Sequence, residues 1–509
     1  MSCTPPPNVV CTRPQVPGNL IPGNEIDPIG QAVLNLYPKP TNTDPTQETN
    51  NFVFHTTGHA PGYQFDIKLD HQINDKQRVS GRYSRGWSNN QTPEVLGDGL
   101  YNDGIATDQV TAQNGSFEYS WTINPRIIWT NHVAVDRVHE AERPGIPSIS
   151  SFNASLPSGV QGLPAVFQQA NGLDRMPAFY MVGASSWSNL FDQCCVNTTF
   201  AHTLYSYSSQ LVISKGSHLI KFGGEQRLFY NNFWQPNDPT GAFNFSDYVT
   251  SPTPNSNTDS SNNPTGNPFA SLLFGYADNV NPFSAEPNAL TVSPSVANRS
   301  AETGFYFQDD WKVNSKLTLN LGVRYQWSSP YTERHNRIEF SNFTADSGVN
   351  ISLSTPNSDG DSAQHVLQQA GVSIPASEEL IGTTIFPTSG HRTIPAYRHD
   401  VGPRLGFAYQ LDSKTVVRGG AGIYFGMSPA TNFQLTGTAF RKTATMFFTN
   451  DNFATQSATL ENPFSGGFTG PQGQQYGKLA NWGYANNNDL GTTTARDAEI
   501  YQLSLIHIF

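Results

Sequence analysis

The chain has 509 residues, with 29 Lys and Arg against 40 Asp and Glu, and a formal charge of −11. Cations this few, with no local cluster, exclude a nucleic-acid binder, and no run of about 20 apolar residues is present to form a transmembrane helix. A 12% aromatic content argues against wholesale disorder, and 43 Gly and 36 Pro with only 14% charged residues describe a turn-rich, all-β chain.

The N-terminus, Met1 to Pro7, has neither a basic region nor an apolar core and is no secretory signal. Cys3 and Cys11 could pair in an oxidising compartment or stay as thiols, and Cys194 and Cys195 are adjacent. No Cys/His spacing suits zinc, so neither a metal nor a cofactor is expected.

Period-two alternation begins with Phe65, Ile67, Leu69 and Ile73, which alternate with Gln64, Asp66, Lys68, Asp70 and Gln72. Phe117, Tyr119, Trp121 and Ile123 repeat the pattern against Ser116, Glu118, Ser120 and Thr122. From Leu317 to Trp327 every odd position is apolar and no even one is, and Leu405, Phe407, Tyr409 and Leu411 follow suit. A strand sends these two sets to opposite faces, whereas a helix would scatter them.

The strands are joined in pairs by short polar turns: Asn74-Asp75-Lys76, Asn124-Pro125-Arg126, Lys215-Gly216-Ser217, Asn314-Ser315-Lys316 and Asp412-Ser413-Lys414. Asx, Gly and Pro in two or three residues are hairpin chemistry. Between hairpins run long segments such as 141–197, 235–298 and 332–400, rich in Asn, Ser, Thr, Gly and Pro. Regular alternation of short and long connections is the pattern of an outer-membrane barrel, whose short turns face the periplasm and whose long loops face outward.

Strand length and aromatic placement separate this reading from a soluble sandwich. About 11 residues at a rise of roughly 3.3 Å and a tilt of about 40° cover about 28 Å, which matches the apolar band of a barrel. Trp121, Trp129 and Trp311 lie beside turns, and Trp87, Tyr325, Trp327 and Phe425 lie toward the long loops. Two aromatic belts are expected where rings sit at headgroup level.

The candidate chemical groups are few. Gly419, Gly420 and Gly422 are followed by strand, not helix, so they are small lumen residues or a bend rather than a phosphate loop. Asp309 and Asp310 must point to opposite faces and cannot share one acid–base site. Asp238, Asp247, Asp259 and Asp278 lie in or near one loop, but their spacing matches no calcium motif. Lys68, Arg82, Arg324 and Arg418 are lumen candidates, either steering an anionic substrate or simply filling a wet interior. No catalytic, cofactor-binding or metal-ligating residue is expected, the chain is not read as an enzyme, and the residues that bind substrate are unknown.

Phe305-Tyr306-Phe307-Gln308-Asp309-Asp310-Trp311-Lys312-Val313, followed by Leu317 to Tyr325 (LTLNLGVRY), resembles the barrel of TonB-dependent outer-membrane receptors. The resemblance is to the Oar-like group, which begins with a carboxypeptidase-regulatory-like domain. Pro403 to Tyr409 with Val417-Arg418-Gly419-Gly420 looks like another hairpin of that group, and Ile21 to Asn24 with Leu36-Tyr37-Pro38 is similar to the stretch after the plug. The resemblance implies a bacterial outer-membrane location and a plugged barrel of 22 strands, of which this chain supplies about 10–11: five hairpins and a strand starting near Ala498. It also implies a TonB complex engaged through an N-terminal region, outer-membrane lipid around the wall, and an extracellular ligand of unknown identity.

On this reading residues 1–50 are an irregular segment after a plug that is missing here, and residues 51–502 are an incomplete transmembrane barrel with long extracellular loops. Residues 503–509 hold Leu-Ser-Leu-Ile-His-Ile, which matches the translation of a sequencing adapter and marks the chain as a gene fragment; the alternative is a terminal strand ending in Phe509. Two other functional readings stay open: a plugless porin-like or surface-binding barrel, and a secreted soluble glycan-binding protein. The last requires the apolar strand faces to be covered by a second protein layer.

Overall fold

The computed structural model describes residues 16–44, 46–47, 50–97, 105–182, 188–193, 197–251, 266–278, 288–352, 377–387, 396–426, 438–449, 455–480, 490–491 and 498–508. β1 (Gly62–Asn74) and β2 (Gln77–Gln91) form the first hairpin, and β3 (Ile105–Asn124) and β4 (Ile127–Pro144) the second. The short β5 (Ala178–Val182) precedes the hairpin of β6 (Thr199–Lys215) and β7 (His218–Trp234). Two more short strands, β8 (Ala242–Ser246) and β9 (Ala289–Val292), lead to β10 (Val296–Lys312) and β11 (Leu317–Ser328). Then come β12 (Thr332–Glu333), β13 (Phe340–Ser352), β14 (Ser377–Ile385) and the fifth hairpin, β15 (Asp400–Gln410) with β16 (Val416–Gly426). The chain ends with β17 (Lys442–Thr445), β18 (Leu490–Gly491) and β19 (Ala498–Ile508).

Five hairpins and β19 make one antiparallel wall in the order β1-β2-β3-β4-β6-β7-β10-β11-β15-β16-β19, with β12 added beside β10. These are the eleven strands expected from the sequence. The wall is open: β1 and β19 each have one wall neighbour among the described residues. Several strands outrun the expected 11 residues, β3 reaching 20, so they rise past the apolar band on the loop side.

The turns show why the hairpins close where they do. The side chains of Asn74, Asn124, Asn314 and Asp412 each accept a hydrogen bond from the backbone N–H two residues on, at 2.7–2.9 Å. This Asx geometry is local and independent of the rest of the wall. The fifth turn uses Gly216 at φ +60°, a conformation that a Cβ resists.

One face of the wall is apolar and open. Leu321 is 38% exposed, Val323 41%, Leu405 54% and Leu69 73%, so no second protein layer lies over them. A soluble sandwich would cover these side chains, and that alternative fails here. Rings gather near both ends of this face: Trp121 stands 6.3 Å from Trp129 and Trp311 stacks on His218 at 5.4 Å near the turns, while Tyr63–Trp87 and Tyr325–Trp327 pair at 5.6 and 5.5 Å toward the loops.

The buried apolar core lies at the loop end, not in the wall. Described parts of the 141–197 and 235–298 segments fold together as a cap, with described residues of 29–37 and 446–468 packed among them. It contains α1 (Pro28–Leu34), α2 (Ile149–Ser155), α3 (Val166–Gln169) and α4 (Pro268–Leu273), with a four-stranded sheet ordered β17-β9-β8-β5. Phe167, Phe179, Phe243, Phe245 and Phe448 are fully buried there, each contributing about 1.5–3 kcal/mol. Phe243 meets Phe167 edge-on at 5.6 Å and Phe448 at 6.0 Å. The chain enters β1 from this loop end, and α1 packs against α4 within the cap. A separate sheet pairs β13 with β14, both in the 332–400 segment, and adds the distant β18 beside β13.

Candidate functional site

The polar strand positions share the inner face. Across six strands Lys221, Gln308, Gly322, Arg404, Gly422 and Gln502 stand in one register row. They line a groove of about 460 Å³, which Tyr306, Arg324 and Tyr424 also border. The alternation that leaves the outer face greasy makes this face wet, because successive side chains point opposite ways.

Glycines let the long side chains lie flat on this face. A Cβ on Gly304 would stand 2.6 Å from Arg324 Nη2, and one on Gly223 would stand 2.8 Å from the Tyr306 hydroxyl. Gly422 likewise leaves room for the Tyr424 ring, over which the Arg404 guanidinium sits at 4.6 Å. The Tyr306 hydroxyl donates to Gln210 Oε1 at 2.7 Å. Among Gly419, Gly420 and Gly422, the last two face the groove; Gly419 pairs with Phe407 on the outward parity.

The charges of the inner face are largely balanced. Arg324 pairs with Glu225 and lies 3.9 Å from Glu302, while Arg227 lies 3.6 Å from each of those carboxylates. Glu302 is buried, so its two arginine neighbours are what keep a carboxylate tolerable there. Of the four lumen candidates, all lie on this face, but three are neutralised locally. Lys68 pairs with Asp70 at 3.2 Å, Arg82 with Asp66 at 2.7 Å, and Arg324 with Glu225. Arg418 forms no ion pair among the described residues, and neither does Arg404, which the sequence reading did not single out. The signal was its even-numbered parity opposite Gly422.

Asp309 and Asp310 diverge as expected. Asp310 takes Lys221 Nζ at 3.1 Å and Asn320 Nδ2 at 2.8 Å on the inner face, and Asp309 contacts His218 on the outer one. Among the described residues, the groove brings together amides, two phenols, an ammonium, a hydroxyl and guanidinium groups.

The loop aspartates are structural where they are described. The Tyr180 hydroxyl donates to Asp192 Oδ1 at 2.9 Å and reaches Asp238 Oδ1 at 3.4 Å. Burial, with the charges of Asp238 and Asp192, pushes that phenol above its ordinary pKa. Ser246 donates to Asp278, and Asp247 opens a turn at Asp247–Thr250. Asp259 and all four cysteines lie outside the described residues. Among the described residues no three His, Cys, Asp or Glu gather as metal ligands. At α1, burial and the Glu461 carboxylate push Asp27 up to about 6, although it accepts a bond from Gly30 N at 2.8 Å.

A family model described as outer membrane beta barrel domain matches residues 2–505. No curated protein matches the chain. Among solved structures it is similar to the ferric-catecholate import receptor Fiu from E. coli K12 in its closed form, at 12% identity and a TM-score of 0.36, covering 74% of this chain and 45% of that one. It is similar to the ferric yersiniabactin uptake receptor FyuA from Yersinia pestis at 9% identity and a TM-score of 0.35, covering 72% and 38%. The copper transporter OprC matches at 7% identity and a TM-score of 0.34, covering 72% and 37%. The chain therefore spans less than half the length of each of these three structures.

Proposed function

This chain belongs to the outer membrane beta-barrel domain family and resides in the bacterial outer membrane, and from that premise we propose that it is wall and outer cap of a TonB-dependent receptor of the Oar-like group. The receptor takes up or recognises a bulky extracellular ligand; its role is transport or binding, not catalysis. The observation that carries this reading is an eleven-stranded wall, greasy outside and polar inside, with described parts of the 141–197 and 235–298 connections folded into a cap at the loop end. A simple pore needs no Phe-packed cap, whereas a receptor needs a shaped outer surface to select a large ligand.

The open edges at β1 and β19 must be closed in lipid, where unpaired backbone groups cost several kcal/mol each. We assign their partners to further strands of the same barrel, toward a total of 22. We assign residues 1–50 to the segment that follows a plug in chain order; α1 within it packs against α4 in the cap, and β1 is entered from the loop end. Residues 51–502 supply wall and loops, and β19 continues the wall to Ile508, where Leu503 to Ile508 pair with β16. A TonB complex would engage the region ahead of the wall, where a carboxypeptidase-regulatory-like domain also belongs.

Conductance of the intact protein in planar bilayers tests the proposal. A plugged receptor holds no steady open pore until the plug is unfolded with urea. A stable large conductance without urea contradicts it and favours the plugless porin-like barrel.

A further inference from the structure

We propose that the outward face of the wall carries a binding row for the phosphate groups of the outer-leaflet glycolipid. The proposal rests on the outer-membrane location and not on the receptor reading. Arg85, Gln113, Arg137, Thr203, Tyr230 and Arg299 stand in one cross-strand row over β2, β3, β4, β6, β7 and β10. All six have the outward parity of Tyr83, Val133 and Tyr205. Two residues nearer the short turns, the same strands carry Tyr83, Gly115, Val135, Tyr205, Leu228 and Ala301, with no charge among them.

Height decides what this row meets. Arg137 is ten residues above the start of β4, which at a rise of about 3.3 Å and a tilt of about 40° places it roughly 25 Å up the wall, at the loop-side edge of the apolar band. A cation costs several kcal/mol at mid-bilayer and little at the interface. The aliphatic stems can therefore lie on the greasy wall while the guanidinium groups reach headgroup level.

Among the described residues, no carboxylate pairs with any of the three charges. Across β1–β4, β6, β7 and β10 the outward positions hold one carboxylate, Asp309, near the short turns. Arg137 Nη1 donates to Thr203 Oγ1 at 2.8 Å, Arg299 lies 5.1 Å from the centroid of the Tyr230 ring, and Arg85 Nε is buried with no hydrogen-bond partner. Strand spacing puts Arg85 about 10 Å from Arg137, and Arg137 about 14 Å from Arg299. Forked guanidinium groups held at such intervals suit separate phosphates on a large headgroup.

The test uses the intact protein in non-ionic detergent with diphosphorylated lipid A, dephosphorylated lipid A or phosphatidylglycerol, reading retained lipid and the midpoint of the heat-modifiable transition. Diphosphorylated lipid A is expected to raise the midpoint and to be retained at least tenfold more than the dephosphorylated form. The combined Arg85→Gln, Arg137→Gln and Arg299→Gln variant should lose that preference, and Arg137→Lys alone should keep part of it. Equal response to the two lipid A forms by the unaltered protein would overturn the proposal, and needs no variant to fold. So would phosphatidylglycerol acting as strongly as lipid A, or a folded triple variant that retains the wild-type amount.

Discussion

Asp309 and Asp310 are consecutive in the chain, yet their carboxylates are committed to opposite sides of the wall. Asp309 Oδ2 lies 2.7 Å from His218 Nδ1 on the outer face, beside Trp311, while Asp310 Oδ2 lies 3.1 Å from Lys221 Nζ on the inner face. The sheet separates them, so they share no partner. Asp309→Ala and Asp310→Ala should each cost about 1 kcal/mol, and the double variant should be additive within about 0.5 kcal/mol in urea unfolding. A larger coupling between these neighbours would show that they share an environment.

Closure of the β10–β11 hairpin depends on one side chain. Asn314 Oδ1 accepts from Lys316 N and Leu317 N, both at 2.9 Å. Asn314→Ala removes both bonds and should lower stability by about 1 kcal/mol, while Asn314→Asp, which keeps the acceptor, should cost less than half of that. Refolding into lipid vesicles, followed by gel mobility, measures both.

The short turns were legible because each is decided by two or three residues, and the wall because parity alone sorts Leu317–Trp327 into two faces. The cap was not legible. Phe167, Phe243 and Phe448 come from segments far apart in sequence, and no local period announces that they meet. The inner-face ion pairs were half legible: the parity of Arg324 placed it on the wet side, but its partner Glu225 lies 99 residues away on β7, across the strand that separates them. Only register, fixed by the whole wall, brings the two together.

The cap should loosen without dissolving the wall. Phe243 is fully buried among Phe167, Phe179 and Phe448, so Phe243→Ala is expected to cost the cap about 3–5 kcal/mol. Protease should then cut within residues 145–198 and 235–295 while the heat-modifiable band persists. Loss of that band would mean that cap and wall unfold as one unit.

Acid should tighten the α1–α4 junction. Asp27 N donates to Leu273 O at 2.7 Å, and its carboxyl, raised from 3.8 to about 6, holds a proton in the folded cap over a range where the unfolded chain has released it. Stability of this junction therefore falls as pH rises from about 4 to about 6 and is level above that. Asp27→Asn keeps the cap acceptor and should abolish the slope, leaving the variant the more stable at pH 7. Hydrogen exchange of the α1 amides at pH 5 and pH 7 measures the effect; equal protection in the unaltered protein at the two values would contradict it.

The account as a whole depends on what touches the odd-numbered side chains of β11. Nitroxide labels placed one at a time from Leu317 to Trp327 in the membrane-embedded intact protein should report oxygen contact at odd positions and contact with a water-soluble nickel reagent at even ones, alternating residue by residue. Odd positions shielded from both reagents, as under a second protein layer, would contradict the lipid-facing wall.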